Sequence, residues 1–268
     1  MPVSDGHRVR RRGRGRRVSR AQPLDRLTGK VSDAAGAAVP DADVRVEAMF
    51  GFAGGDFLGQ RTFAARTNAK GEWALLAFKA GIWVFDAEAP GRLPDSIALP
   101  FNLVAPAGSG IDRLTPVWHP VLRLSPAPAG DIGKILADAA EAARAQRPDR
   151  VTPLLTRLAD SNDPVVLTAA GTICLMMRDA TVGAAASSGA RSTAILTSFR
   201  AALGMGSSAL MQRNVDAAAK AFAEARNLTK DKDERGFLSA AILELNKAHY
   251  VMKGTHADGR DRQDGRDG

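Results

Sequence analysis

Histidine is the side chain that most often transfers protons or binds catalytic metals, and the chain has four histidines, His7, His119, His249 and His256. A hydrolytic zinc site of the His-x-x-Glu type needs that pair and a distant histidine, because zinc takes three protein ligands and keeps one position open. None of the four is followed by glutamate three residues later, and no Gly-x-Ser-x-Gly turn presents a nucleophilic serine. We therefore predict no catalytic residue, no metal and no cofactor, and we expect that the protein is not an enzyme.

The one cysteine, Cys174, lies in the apolar stretch GTICLMM. A single cysteine excludes an internal disulfide and a cluster of thiolate ligands. Its surroundings predict a small buried side chain and not a nucleophile. The longest apolar run, residues 165–177, is too short and too rich in alanine, threonine and glycine to cross a bilayer, so we predict no membrane span.

The positive charge of the chain is concentrated at its start. The net charge is +8, and the first 20 residues contain eight arginines and one aspartate, which leaves +1 for the rest. A Gly/Arg tract has no apolar side chains to bury, so we predict that residues 1–23 form a disordered tail. The tail could bind phosphates weakly, but it lacks the aromatic side chains that stack on bases. We therefore predict no specific nucleic-acid partner.

The stretch SRAQP after the basic start is typical of the end of an export signal, although the apolar segment that should precede it is absent. We therefore expect a periplasmic or secreted protein, with an export signal that is missing or misassigned at this N-terminus.

Short apolar alternations separated by turns fill the first half of the chain. In GKVSDAAGAAVPDADVRVE, residues 29–47, two alternating stretches flank a turn and a bend at Pro40. A further turn at Gly71 precedes Trp73 and Leu75, which share one face of a strand. Several short strands with a turn about every ten residues predict an antiparallel β-sandwich.

The spacing of many of these positions is shared with a known family. The positions are Gly29, Val31, Asp33, Gly36, Pro40, Ala42, Val44, Val46, Thr67, Gly71, Trp73, Gly81, Trp83, Ala89, Pro90 and Gly91. They resemble the carboxypeptidase regulatory-like domain, a small transthyretin-like sandwich that is also grouped with carbohydrate-binding-like folds. The resemblance covers residues 24–125. It implies an accessory module without catalytic activity, in the setting of a bacterial cell envelope.

Five apolar residues form a possible interaction surface on this sandwich: Phe50, Phe52, Phe57, Ile82 and Val84. The phenylalanines lie in MFGFAGGDFLGQ, and they either tuck onto the sandwich edge or contact a ligand or the second half of the chain. Ile82 and Val84 lie on the strand face opposite Trp83 and should point away from the sandwich core. We predict that part of this surface docks against the chain's own helices, and binding of an external partner is the alternative.

A helical pattern begins after a proline-rich linker at residues 126–130. We predict an all-α region at 131–253, with helices at 131–147, from 148, from 164, and at 191–211, 214–227 and 232–252, and a disordered tail at 254–268.

Part of this helical region is similar to a tetratricopeptide repeat. Gly206 falls in a first helix, and Ala218, Phe222 and Ala225 follow the spacing of a second helix. An ordinary helical bundle with the same spacing is the alternative.

The sequence as a whole predicts an α+β protein with two domains, a transthyretin-like antiparallel β-sandwich followed by an all-α helical array. The expected function is non-catalytic protein interaction or scaffolding in the bacterial cell envelope, with another protein or the chain's own helical domain as partner. A ligand-binding module on the same sandwich, for carbohydrate or peptide, is the alternative. The expected core positions of Trp73 and Trp83 leave no obvious flat aromatic platform for a sugar.

Overall fold

The computed structural model describes residues 26–50, 62–76, 81–101, 119–158, 160–161, 163–178 and 199–260. Within these ranges the chain forms eight strands and six helices, and every helix follows the last strand. The predicted α+β class, with the helices in the C-terminal half, is confirmed at this level. The predicted tail at 1–23 lies outside the described residues.

The strands form two four-stranded sheets. In spatial order, the first sheet consists of β4 (Glu72–Leu76), β1 (Arg26–Asp33), β8 (Val121–Pro126) and β6 (Arg92–Leu93). The second sheet consists of β3 (Thr62–Arg66), β2 (Asp43–Phe50), β5 (Gly81–Glu88) and β7 (Asp95–Phe101). All of these strand pairs are antiparallel except β1 with β8, which is parallel.

One face of each sheet contributes to a shared apolar core. In β1, Leu27 and Val31 are buried whereas Lys30 is exposed, as expected when side chains alternate between the two faces of a strand. Trp73 of the first sheet lies against Phe85 of the second sheet, with ring centroids 6.0 Å apart. Such aromatic contacts add about 0.5–1.5 kcal/mol beyond the burial of area.

Glycine and asparagine build the turn between β3 and β4. Gly71 has a φ of +70°, and a Cβ atom there would lie 2.4 Å from the carbonyl oxygen of Val31, so the position requires glycine. The Asn68 side chain accepts hydrogen bonds from the backbone N–H groups of Lys70 and Glu72. The Asn68 N–H in turn donates to the carbonyl of Glu72. Asn68 therefore occupies both main-chain groups of the first residue of β4.

The six helices are α1 (Gly130–Arg144), α2 (Pro148–Thr156), α3 (Pro164–Met176), α4 (Phe199–Met211), α5 (Val215–Leu228) and α6 (Lys232–Arg260). The Asp163 side chain accepts a hydrogen bond from the Val165 N–H at the start of α3, and Asn214 does the same for Ala217 in α5. The described part of α4 starts at residue 199 because residues 191–198 are not described. The last helix continues past residue 253, where the sequence places the start of a tail.

The helices form two groups. α1, α2 and α3 share a small apolar cluster with Leu93 of β6. α4, α5 and α6 extend the main core, in which α4 and α5 approach closely because Gly206 faces Phe222. A Cβ atom at Gly206 would lie 2.4 Å from the Phe222 ring, so a side chain at this position would force the two helices apart.

Helices also cover the outer face of the second sheet. β7 contacts α3, α4 and α6, and every residue of β5 from Gly81 to Ala87 is buried. A strand buried on both faces has an apolar run in place of alternation, as in GIWVF at the start of β5. The main apolar cluster consequently runs from the sheets into the helices without a break.

Candidate functional site

The structure places the predicted interaction residues as follows. Ile82 and Val84 are fully buried, each with 0% of its surface exposed. Phe50 is the last residue of β2, and Phe52 and Phe57 lie outside the described residues. In this arrangement Ile82 and Val84 have no surface to offer to an external partner.

A buried ion pair lies on the helix-facing side of the second sheet. Arg178, which follows α3, donates to Asp86 of β5 through its two terminal nitrogens, at 2.5 and 3.2 Å. The Ser96 hydroxyl donates to the same carboxylate at 2.7 Å, and Arg178 Nη2 also lies 3.5 Å from Glu47 Oε2. The Asp86 and Arg178 side chains are only 8% and 10% exposed. A buried charge needs a partner, and here Asp86 and Arg178 neutralise each other. We call Asp86, Arg178, Ser96 and Glu47 the Asp86 cluster, which connects the end of α3 to the second sheet.

The backbone conformation of Arg178 indicates that its side chain has a structural role in this ion pair. Its φ is +55°, in the left-handed region that residues other than glycine enter at a cost. Glycine is the usual residue directly after a helix because it adopts this conformation freely. Glycine would have no side chain to reach Asp86, so the ion pair accounts for the arginine.

A second buried pair joins β7 to α4. Arg200 Nη2 lies 2.6 Å from Asp95 Oδ1, and the Asp95 side chain is 3% exposed. Asp95 also accepts hydrogen bonds from the backbone N–H groups of Ser96 and Arg123, at 3.0 and 2.7 Å. Arg200 closes the ring by donating to the Arg123 carbonyl at 2.9 Å. We call Asp95, Arg200 and Arg123 the Asp95 cluster.

The Arg123 side chain extends this cluster to the start of α6. It donates to Asp231 at 2.7 Å and forms a second ion pair with Glu234. Glu234 is buried and also accepts a hydrogen bond from the Thr229 hydroxyl. The Asp95 cluster thus ties two strands, one from each sheet, to two helices.

A helix side chain also bonds to the main chain of β7. Ser207 of α4 is fully buried, and its hydroxyl accepts a hydrogen bond of 3.0 Å from the Ala98 N–H. β7 is the last of the described strands in the second sheet, so an N–H that points outward from it has no strand among them to bond with. Ser207 therefore takes the place of a further strand.

Replacement of Ser207 by alanine should leave the buried Ala98 N–H without an acceptor. We expect the Ser207→Ala variant to lose about 1–3 kcal/mol of unfolding free energy, the usual cost of an unsatisfied buried group. Ser208→Ala, on the same helix and with a partly exposed side chain, is the matched control and should change stability by less than about 0.5 kcal/mol. Urea denaturation of both variants measures the difference, and equal stabilities would show that Ala98 does not depend on Ser207.

The buried carboxylates of the two clusters form ion pairs with arginines. This arrangement is suited to fixing the helices against the second sheet. Three arginine nitrogens in or beside the clusters are buried without a hydrogen-bond partner, Arg178 Nε, Arg200 Nη1 and Arg45 Nε. Among the described residues no group of three or more histidine, cysteine, aspartate or glutamate side chains could hold a metal ion.

A polar cleft of about 600 Å³ opens on the outer face of the first sheet, beside the start of α6. The residues that line it are Thr28, Gly29, Lys30, Arg66, Asn68, Glu72, Trp73, Ala74, His119, Val121 and Asp233. They come from β1, β4, β8, the end of β3, the turn after it, the residues before β8 and the start of α6. The sequence contains no local signal for this cleft, because its walls are brought together only by the fold.

Most of the polar groups in the cleft have a partner within it. Thr28 Oγ1 and His119 Nδ1 are 2.7 Å apart, and Lys30 Nζ lies 3.9 Å from Asp233 Oδ2. The indole nitrogen of Trp73 differs, because it is buried and has no hydrogen-bond partner. Trp73 is only 3% exposed, so its ring does not present a flat platform to the cleft.

Comparisons with known proteins identify no family. No protein-family model and no curated protein matches the chain. Among solved structures, the full-length major pilin SpaD from Corynebacterium diphtheriae is 16% identical over 38% of this chain and 30% of its own, with a TM-score of 0.28. A mutant catechol 1,2-dioxygenase from Acinetobacter radioresistens is 12% identical over 41% of this chain and 55% of its own, also with a TM-score of 0.28. TM-scores this low support no inference about fold or function.

Within the described residues, no helix has the length and apolar character needed to cross a membrane. This agrees with the prediction of no membrane span.

The residues that join the sheets to the helices were not predicted from the sequence. The one available signal was Asp86, a charged residue after the apolar run GIWVF. Its partner Arg178 is 92 residues away in the chain, and nothing near Arg178 points to it.

Proposed function

We propose that the protein is a non-catalytic interaction or scaffold protein of the bacterial cell envelope. Its first part, residues 24–125, is proposed to be a transthyretin-like β-sandwich domain of the carboxypeptidase regulatory-like type. Its second part, residues 131–253, is proposed to be a repeat-like helical domain that is similar to tetratricopeptide repeats. The envelope setting is supported by the resemblance of the first part to that domain family.

The ion pairing of the buried carboxylates is the observation that supports a non-catalytic role. Asp86, Asp95 and Glu234 each form an ion pair with an arginine from another element of the fold. A general acid or base must reach the substrate and exchange a proton with it. These three carboxylates instead connect the sheets to the helices. A rigid protein of this kind, in which these buried charges are paired, is suited to a scaffold role.

A ligand-binding module, for carbohydrate or peptide, is the second candidate. The cleft on the first sheet favours it, because its volume of about 600 Å³ falls in the range of small-molecule sites, about 300–1,000 Å³. A sugar in this cleft would have to bind through hydrogen bonds, since Trp73 is buried and Trp83 lies in the core.

Photo-crosslinking in the native cell envelope tests the proposed interaction function. A photoreactive residue at an exposed position, such as Lys134 on α1 or Lys220 on α5, should give at least one discrete adduct with a second protein. The same residue at the fully buried Ala139 is the matched control and should give no intermolecular adduct. Mass spectrometry identifies the adducts.

The proposal is wrong if a scan of exposed positions yields no protein adduct. Turnover of a small molecule by the purified full chain would also contradict it. Tight binding of a soluble oligosaccharide without any protein adduct would favour the second candidate.

A further inference from the structure

The cleft lies along an open stretch of sheet edge. Among the strands that the structure describes, β4 pairs with β1 alone. The hydrogen bond from the Val31 N–H to the Gly71 carbonyl shows that the carbonyl of Gly71 faces β1. Because bonded and non-bonded pairs alternate in an antiparallel ladder, Trp73 also faces β1, whereas the N–H and C=O of Ala74 point away from it. By the same alternation the Lys30 N–H should point away from β4. It donates to the Pro120 carbonyl just before β8, which agrees with this alternation.

Ala74 is the outward-facing main-chain position of this edge that lines the cleft. The main-chain groups of Glu72 are already bonded to Asn68. No described residue bonds to the N–H or C=O of Ala74, which is exposed and lines the cleft. A donor and an acceptor on one edge residue match the main chain of an extended peptide, which can add to a sheet as a further strand.

The walls of the cleft carry both signs of charge. The Lys30 and Asp233 side chains are 52% and 58% exposed, and their charged atoms are 3.9 Å apart. Arg66 and Glu72 add one further charge of each sign to the lining, and Arg66 is already paired with Asp43, which lies outside it. Exposed ion pairs of this kind are weak, so a ligand can exchange its own charges for them at little cost. A lining with both signs suits a peptide that carries acidic and basic side chains.

We propose that the cleft binds an extended segment of a partner protein, whose main chain pairs with Ala74 and whose charged side chains contact Lys30 and Asp233. This proposal rests on the interaction function proposed above, and it adds the location of the site and the chemistry of the partner. A peptide can bond to the N–H and C=O of Ala74 and to the charged side chains of the cleft. A sugar has no peptide main chain to pair with the strand edge.

A displayed library of random short peptides, selected on the full-length protein, tests the proposal. The affinities of the selected synthetic peptides are then measured by calorimetry. We expect binding to slow amide hydrogen exchange at Ala74. We also expect N-methylation of the pairing peptide residue to abolish binding, because it removes the main-chain donor.

The Ala74→Pro variant removes the outward N–H and leaves the ladder to β1 intact, which an edge strand tolerates. It should lower peptide affinity about tenfold or more. Ala64→Pro is the matched control, because Ala64 is an exposed residue of β3, an edge strand of the second sheet, and does not line the cleft. It should leave affinity unchanged. Circular dichroism shows whether both variants fold.

Charge variants test the side-chain contacts without touching the backbone. Lys30→Glu and Asp233→Lys should each weaken binding of the selected peptides about tenfold or more. Lys220→Glu, on the exposed face of α5 and away from the cleft, is the control for the change in net charge and should have no effect.

Several outcomes would overturn the proposal. One is that the selected peptides bind the Ala74→Pro variant as tightly as the parent protein. Another is that cellohexaose or chitohexaose binds and depends on Lys30 and Asp233 in place of peptide. A third is that Ala74 becomes protected with rising protein concentration alone, which would identify a second copy as the occupant. Photo-crosslinks to a partner at other surfaces, combined with any of these results, would leave the interaction function standing and remove only this site.

Discussion

The Asp95→Ala variant is expected to lose about 3–5 kcal/mol of unfolding free energy, the typical cost of removing one partner of a buried ion pair. The Arg200 side chain, which is only 23% exposed, would keep its charge without its carboxylate partner. The backbone N–H groups of Ser96 and Arg123 would lose their acceptor at the same time. For a domain with a total stability of about 5–15 kcal/mol, such a loss leaves a substantial unfolded population at moderate temperature.

Chemical denaturation followed by circular dichroism measures this effect. Asp138→Ala is the matched control, because Asp138 lies on the exposed face of α1. It should change stability by less than about 0.5 kcal/mol. A loss of less than about 1 kcal/mol in Asp95→Ala would show that the Asp95 cluster does not hold β7 and α4 together.

The Phe222→Ala variant is expected to lose a similar amount, about 3–5 kcal/mol, because truncation of a buried aromatic side chain leaves a cavity. Phe222 is fully buried and fills the space opposite Gly206, where α4 and α5 approach each other. The thermal unfolding midpoint and the denaturant midpoint should both fall. An unchanged midpoint would contradict the proposed packing of these two helices.

Two glycines on α4 provide an internal control for this contact. A Cβ atom at Gly206 would lie 2.4 Å from the Phe222 ring, whereas a Cβ atom at Gly204 would have no neighbour within 4 Å. Alanine raises helix stability by about 1 kcal/mol relative to glycine. Gly204→Ala should therefore stabilise the protein, and Gly206→Ala should destabilise it. In the Phe222→Ala background, Gly206→Ala should be tolerated.

The parts of the fold that could be predicted from the sequence are determined by residues close to one another along the chain. The turn at Gly71 and the capping residue Asp163 are visible as short local patterns. The alternation in β1 likewise follows from adjacent residues. The helix starts near 148 and at 164 and 232 agree with the sequence prediction, because proline or a polar run marks them.

The remaining parts depend on contacts between distant residues. The pattern in β5 places Ile82 and Val84 opposite Trp83 and favours docking of this face on the helices, but it could not show which helices cover the two residues. That depends on how α3 and α4 pack, and these helices start 80 or more residues farther along the chain. The pairs Asp86 with Arg178 and Asp95 with Arg200 are similarly remote, and a single sequence gives no signal that matches them. The cleft depends on the same long-range assembly.

The bond between Ser207 and Ala98 has a consequence for how this protein could have evolved. Accessory β modules spread between genes when they can be moved as independent units that fold wherever they are inserted. Here the last strand of the second sheet relies on a helix hydroxyl, and the buried face of β5 relies on helices for cover. A recombination event that moved the strands without the helices would expose an apolar face and an open edge, which together promote aggregation. The strands and helices of this chain should therefore be inherited together as one unit.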